Sequence, residues 1–316
     1  MGRFTVRRLL QMVLVMFAVS VLTFLIFNVI PGGDPAVRMA GKTSNDSTIA
    51  AIREEWGFDE PVPVQYVVTM RKVFTGDLVS YTTQLPVLDE IVMGIPRTLS
   101  LAIGAAILWM VVAVAFGLYG AMRAGAFGDR LITVLALVGI SMPVFWVGAL
   151  MNYYLGFKAG LFPNGGYVEL TESPLDWAYH LVMPWTALAL LFIGIYSRIL
   201  RSNLLDTMNE DYVCTARAKG LSERRILIRH VLRTSMIPFV TLWGLDFGLV
   251  VGGGAILTET VFDLQGVGQY AADSIELLDV PPVLAVVMLA AFFIVALNAV
   301  VDILYAVLDP RIRITG

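Results

Sequence analysis

Cysteine occurs once in the 316 residues and histidine twice. The lone Cys214 excludes an intrachain disulfide and any cysteine-based metal cluster, and His180 and His230 are too far apart to give a zinc-ligand spacing. Charge is also scarce. Asp, Glu, Lys and Arg make up 15% of the chain, too little to cover a water-soluble surface of this size, while 58% of the residues are hydrophobic and 28 more are glycine. A soluble domain carries about 45–50% apolar residues with glycine included. Together with a mean hydropathy of +0.77, this excludes a soluble enzyme. The net charge of −3 provides no basic excess for nucleic acid.

Catalytic patterns are equally thin. Gly41-Lys42-Thr43 has the ending of a P-loop, but Ala36 stands where its first glycine belongs, and an apolar helix precedes it rather than a strand. No ATP site and no metal site is expected on this chain. Intramembrane proteolysis would need a helix-borne His-Glu-x-x-His, paired aspartates or a serine–histidine pair. Asp246 falls mid-span, whereas Asp302 and His180 fall near span ends, so none of these closes.

What is present is a set of long apolar runs. A hydrocarbon core about 30 Å thick takes about 20 residues of helix. Charge-free windows of that length occur at 9–30, 98–122, 131–157, 177–197 and 280–301. A sixth, 234–258, is interrupted only by Asp246. The expected architecture is an all-α polytopic membrane protein with six transmembrane helices. Residues 1–30 form the N-terminal tail and first span. The first window is read as retained, because it exceeds a signal-peptide core and Pro31-Gly32-Gly33-Asp34-Pro35 is no cleavage site. Pro143 is expected to kink the third span, with Ser141 helping to accommodate the freed carbonyl.

Loop charge sets the orientation. With the N-terminus inside, 15 of the 22 basic residues are cytoplasmic, and 17 of the 25 acidic residues are external. Both termini are therefore expected in the cytoplasm of a plasma (inner) membrane protein. Residues 31–96 form a small extracytoplasmic domain with a helix near 47–56, capped by Asp46 or Ser47 and ended by Gly57, and a second apolar run at 63–74. Residues 97–316 form the core.

Function concentrates in the cytoplasmic loop 200–233. Asn209 as N-cap, Glu210 and Asp211 in the first turn, Lys219 in the last turn and Gly220 as a left-handed stop predict a short bounded helix. A second helix starts near Ser222 and carries Arg225, Arg229 and Arg233 as a basic ridge, open to reading either as membrane anchoring or as part of a docking surface. In the fifth span Gly244, Gly248 and Gly252 recur every fourth residue, a helix-packing ridge that permits close approach. Asp246, between them, is either a pathway residue that meets a cationic group or a hydrogen-bonded structural carboxyl. Trp146, Tyr153 and Tyr154 read as packing or interfacial anchors.

The loop resembles the coupling segment of ABC-importer permeases, a Glu-Ala-Ala, three residues, then Gly pattern. Here Cys214-Thr215-Ala216 occupy the first three places and Gly220 the last, with strict matches only at Ala216 and Gly220. The likeness is closer to the dipeptide, oligopeptide and nickel permeases. It runs through Arg7-Arg8-Leu9-Leu10, Ile30-Pro31-Gly32, Thr98-Leu99 and Ser141-Met142-Pro143-Val144-Phe145-Trp146. It continues through Glu210-Asp211-Tyr212, Thr215-Ala216-Arg217-Ala218-Lys219-Gly220-Leu221, Gly254-Ala255-Ile256-Leu257-Thr258-Glu259-Thr260-Val261-Phe262, Gly266-Val267-Gly268 and Asp309-Pro310-Arg311-Ile312-Arg313.

That resemblance implies the type I ABC-importer transmembrane fold and the permease subunit with a long external segment after its first helix. It also implies a second, unlike permease, two cytoplasmic ATPases that hold ATP and Mg²⁺, and an extracytoplasmic binding protein, with peptides or related small solutes as cargo. Asp211, Thr215, Ala216, Arg217, Ala218, Lys219, Gly220 and Leu221 would form the loop that docks on an ATPase. A self-sufficient ion-coupled carrier is the alternative, disfavoured by the lack of an inverted repeat and of clustered midplane polar residues.

Overall fold

The computed structural model describes residues 2–29, 35–40 and 45–308. Pro31-Gly32, Gly41-Lys42-Thr43 and the tail from Asp309 to Arg313 lie outside them, as does the side chain of Asp302. The described residues are helical apart from short connections and one isolated bridge, Val79 with Pro86. In order the helices are α1 Gly2–Phe24, α2 Pro35–Ala40, α3 Asp46–Trp56, α4 Val62–Thr75, α5 Val87–Met122, α6 Phe127–Ser141 and α7 Val144–Met151. There follow α8 Pro174–Met208, α9 Asp211–Ala218, α10 Glu223–Ile226, α11 Leu232–Leu249, α12 Ile256–Val261, α13 Val267–Glu276 and α14 Val280–Leu308.

Five helices are long and apolar enough to cross a membrane: Val6–Phe27, Val87–Met122, Pro174–Met208, Glu223–Gly254 and Val280–Val301. The expected third span, 131–157, is not a single kinked helix. α6 and the segment Val144–Lys158 meet at 101°. Pro143 excludes its predecessor from helical geometry, and Met142 is accordingly extended at φ −92° and ψ 131°. Pro143 then serves as N-cap of α7, its carbonyl accepting from the Trp146 and Val147 N–H groups. Ser141 donates to Leu137 within its own helix.

Two more boundaries differ from the sequence reading. The helix expected from Ser222 is present as α10, with Ser222 in the N-cap position, but it is not separate from the apolar window 234–258: it runs through a wide π-helical turn, Leu227–Val231, into α11. It stops short of residue 258, since Gly253 adopts φ +131° and separates α11 from α12. Asn45, not Asp46 or Ser47, caps α3 by accepting from the Thr48 N–H at 2.9 Å, and Gly57 ends it at φ +64°.

α5 and α8, at 36 and 35 residues, are longer than a bilayer needs and project beyond it. They approach through small residues: Ala102, Ala105, Ala106 and Ala113 of α5 and Ala187 and Ala189 of α8 are all buried. A Cβ on Gly117 would already lie 3.0 Å from Leu200 Cβ. The segment carrying α3 and α4 shares its apolar core with the bundle, as Trp56 and Leu78 pack in one cluster with Val87, Ile91, Val267, Ala271 and Val286. Asp279, buried before α14, accepts from Ser80 Oγ at 2.5 Å and from the Tyr81 and Thr82 N–H groups.

Candidate functional site

The short helix expected in the basic loop is α9, with Glu210 in the N-cap position rather than Asn209. Asn209 instead donates its side-chain amide to the Leu205 carbonyl and closes α8. At the far end the Gly220 N–H donates to the Arg217 carbonyl at 2.9 Å and the Leu221 N–H to the Ala216 carbonyl at 3.3 Å, with Gly220 at φ +77°. This is a Schellman stop, which satisfies carbonyls the helix end would otherwise orphan. The motif residues Ala216, Gly220 and Leu221 thus define the turn.

Val213 and Ala216 of α9 are buried in the cluster that also holds Leu204, Ile226 and Val231. Asp211, Cys214, Thr215, Arg217, Ala218, Lys219 and Gly220 are exposed. Ala216 therefore faces the bundle, and the polar side of α9 faces away from it. Arg217 donates twice to Glu223, with Nε to Oε1 at 2.6 Å, and this guanidinium holds the Glu223 carboxyl below its usual range. Ser235 donates to the Asn203 carbonyl and Thr207 Oγ1, fixing α11 to α8 beside this loop. Arg225, Arg229 and Arg233 are exposed.

At the same end, ahead of the apolar window that opens at residue 131, Asp129 in the first turn of α6 is 3% exposed and accepts both Arg201 Nε and Nη2, at 2.7 and 2.8 Å. The Gly125 N–H donates to it as well. The two-pronged contact with the Arg201 guanidinium and the backbone bond satisfy the buried carboxylate. Sequence reading passed over this pair, because the partners are 72 positions apart.

Within the bundle Asp246 is half-buried and accepts the Tyr196 hydroxyl at 2.6 Å. Trp243 and Phe247, stacked at 5.4 Å, flank it on its own helix, and Tyr196 is fully buried. The glycine ridge faces α14. A Cβ on Gly244 would lie 2.3 Å from Val301 Cγ2 and one on Gly252 2.3 Å from Ile294 Cγ1, while at Gly248 the nearest atom is 3.4 Å away. The ridge and Asp246 thus serve different neighbours.

The opposite end holds a constellation that no single motif announced. Glu259 of α12 is fully buried and accepts Thr98 Oγ1 at 2.7 Å and the Gln269 N–H at 2.9 Å. The same threonine oxygen accepts the Val267 N–H at 2.9 Å. First-turn amides of α13 are thereby bound by side chains of α5 and α12, not by the helix's own N-cap, which is Gly266. Glycine is required there, since a Cβ on Gly266 would lie 2.5 Å from Glu259 Oε2 and one on Gly268 2.9 Å from it. The separate sequence signals Thr98-Leu99, Glu259-Thr260 and Gly266-Val267-Gly268 meet in one clasp. Behind it is a cavity of about 150 Å³ bordered by Gly252, Gly253, Ala255 and Ala271.

Residues 113–314 match the family model for the binding-protein-dependent transport system inner membrane component, and residues 1–102 match the model for the N-terminal region of such membrane components. The chain belongs to this family of ABC-importer permeases. A probable peptide ABC transporter permease of Sinorhizobium fredii is 36% identical over 99% of this chain and 100% of its own length. The probable D,D-dipeptide permease of Escherichia coli K12 is 36% identical over 95% of this chain and 94% of that one. A glutathione transport system permease of Escherichia coli O6:H1 is 35% identical, with 99% of each covered. A solved structure of the MetNI methionine ABC transporter, in inward-facing conformations, matches in fold with a TM-score of 0.55 at 15% identity, covering 71% of this chain and 98% of that one. This permease is accordingly a multi-pass membrane component of a transport assembly.

Proposed function

We propose that this permease forms half of a heterodimeric pathway that carries peptides into the cytoplasm, with ATP and Mg²⁺ held on two partner ATPases and none on this chain. It spans the inner membrane six times, the broken pair of α6 and α7 making the third crossing. Both termini and the α9 loop are cytoplasmic, and the α3–α4 segment forms a small extracytoplasmic domain that receives substrate from a binding protein. Loop charge supports that orientation. The peptide and dipeptide names of the relatives support the cargo class.

The observation that carries the reading is the mounting of α9. A helix with its apolar side buried against α8, α10 and the π-helical turn that leads into α11, and its polar side exposed, is packed onto the ends of both long helices. It is suited to convert closure of docked ATPases into rotation of the spans. Asp211, Thr215, Arg217, Ala218, Lys219 and Gly220 form the docking face. Ala216 and Leu221 hold the turn beneath it. Asp246 is assigned to the pathway, where its carboxylate and the neighbouring rings suit an ammonium or guanidinium group.

Co-purification from mild detergent, with mass-spectrometric stoichiometry, tests the assembly. A second permease and P-loop ATPases in fixed ratio are expected, and recovery of this chain alone despite co-expression of its neighbours would return weight to the ion-coupled carrier. Gly220→Trp tests the docking. The Cβ position at Gly220 is open, but at φ +77° a side chain also strains the turn, so Lys219→Trp at the exposed neighbouring position is the companion variant that adds bulk without that strain. Loss of ATPase recovery is expected, and intact assembly and transport would refute the docking role.

A further inference from the structure

We propose that the clasp of Thr98, Glu259 and the first turn of α13 is a latch that holds the α12–α13 hairpin closed over the extracytoplasmic end of the pathway, with Gly253 as its hinge. The latch adds a polar tie between elements that also share an apolar cluster, Val87 and Ile91 of α5 with Val267 and Ala271 of α13. α13 borrows the partners of its first-turn amides from α5 and α12, so one hydroxyl, that of Thr98, bonds both the Glu259 carboxylate and the Val267 N–H. Withdrawing it unties α5 from two helices at once. At the hairpin's root, Gly253 at φ +131° breaks the backbone after the fifth span, so α12 can turn without carrying α11 with it.

The far end of the hairpin is held differently. The Asp279 N–H donates to the Ser274 carbonyl at 2.8 Å, and the Asp279 carboxylate binds Ser80, Tyr81 and Thr82. One end of α13 is thus anchored to the α4–α5 connection, while the other is tied by a removable pair. A helix fixed at one end and clasped at the other swings when the clasp opens. The cavity of about 150 Å³ gives the swing room, because its walls include both the latch residues Thr98 and Glu259 and the hinge residue Gly253. The close fit of Gly266 and Gly268 around Glu259 makes the closed state a single well-defined seat.

The inference rests on the proposed assembly, so assembly is read first, by recovery of the ATPases with the parent chain. Cys214, the lone cysteine, is replaced by serine, and Ala255→Cys then places a thiol on the cavity wall at a position now 1% exposed. The importer in spheroplasts is treated with a membrane-impermeant, charged methanethiosulfonate reagent. Slow labelling of the parent is expected, with labelling about 10- to 100-fold faster in Thr98→Val, the range spanned by leaving a buried hydrogen-bonding group without its partner. Thr98→Ser, which keeps the hydroxyl, stays near the parent. Gly268→Ala wedges the clasp without deleting a partner and shifts labelling in the same direction. If one variant fails to assemble, the other decides. Unchanged labelling in an assembled Thr98→Val or Gly268→Ala complex overturns the latch. Loss of the complex in both also overturns it, since the clasp would then serve folding alone.

Discussion

The three glycines facing α14 have the same spacing but unequal clearances, and alanine substitution is expected to separate them. At Gly252 a methyl group would stand 2.3 Å from Ile294 Cγ1, 2.6 Å from its Cδ1 and 3.2 Å from the Ala290 carbonyl. Rotating the isoleucine relieves the first two contacts and not the third. At Gly244 the obstacle is Val301 Cγ2 at 2.3 Å, on a β-branched side chain that a helix holds in one rotamer. Overpacking of this kind costs about 1–3 kcal/mol. At Gly248 the nearest atom, Leu297 Cβ, is at 3.4 Å, an ordinary contact, so alanine gains its helix preference over glycine, up to about 1 kcal/mol. Gly252→Ala and Gly244→Ala should therefore lower the midpoint of thermal aggregation of the detergent-solubilised complex, followed by fluorescence-detected size exclusion, while Gly248→Ala leaves it unchanged or raises it. Ile294→Ala in the Gly252→Ala background should recover part of the loss, with a coupling of about 0.5–3 kcal/mol in the double-mutant cycle. Equal damage at Gly248 and Gly252, or no coupling to Ile294, would refute the view that this ridge is seated on α14.

Other perturbations follow from the same geometry. Asp129→Asn leaves the Arg201 guanidinium without its carboxylate and should destabilise the α6–α8 contact, read as a lower thermal midpoint; an unchanged midpoint would show the pair contributes nothing. Tyr196→Phe removes the hydroxyl that occupies Asp246, and the uptake ratio of cationic to neutral peptides should rise, whereas Asp246→Asn should lower it; an unchanged ratio in both variants removes Asp246 from the pathway. Gly104→Ala would set a Cβ 2.1 Å from Trp185 Nε1 and displace the indole from the Ser100 carbonyl it now donates to at 2.9 Å, an expected loss of about 1–3 kcal/mol visible as a lower thermal midpoint.

The apolar windows were legible because hydrocarbon thickness imposes a length on sequence, and five of them are long helices in the structure. The break at Pro143 was legible in position and not in size. A proline within an apolar run can bend a helix or end it, and extended Met142 shows that it ends here. The helix starting near Ser222 with its basic ridge was legible from its cap and charge pattern, and it is present from Glu223; its π-helical turn at Leu227–Val231, which makes it one helix with the apolar window, left no such mark. The clasp was hidden for another reason. Glu259 ends an apolar window and reads as ordinary flanking charge, and only the fold brings it to Thr98, 161 positions away. Its sequence trace was indirect, in the glycines of Gly266-Val267-Gly268, whose missing side chains leave the space the carboxylate fills.

The two ends of the molecule are joined by one helix. The segment Glu223–Gly254 is 32 residues, about 48 Å at 1.5 Å per residue, and runs from the α9 loop to the hinge beside the clasp. It has a π-helical turn near each end, Leu227–Val231 and Val250–Gly254, and each widens the backbone locally and shifts the helix face. Gly244 between the turns and Gly252 within the second one seat this helix closely against Val301 and Ile294 of α14. On the proposed reading, a displacement imposed on α9 would pass along this helix to Gly253, where the positive φ separates α11 from α12. Under this reading the basic loop and the Thr98–Glu259 clasp are the driven and the released ends of one lever. Substitutions in the glycine ridge should then weaken the coupling of ATP hydrolysis to transport even where the complex still assembles.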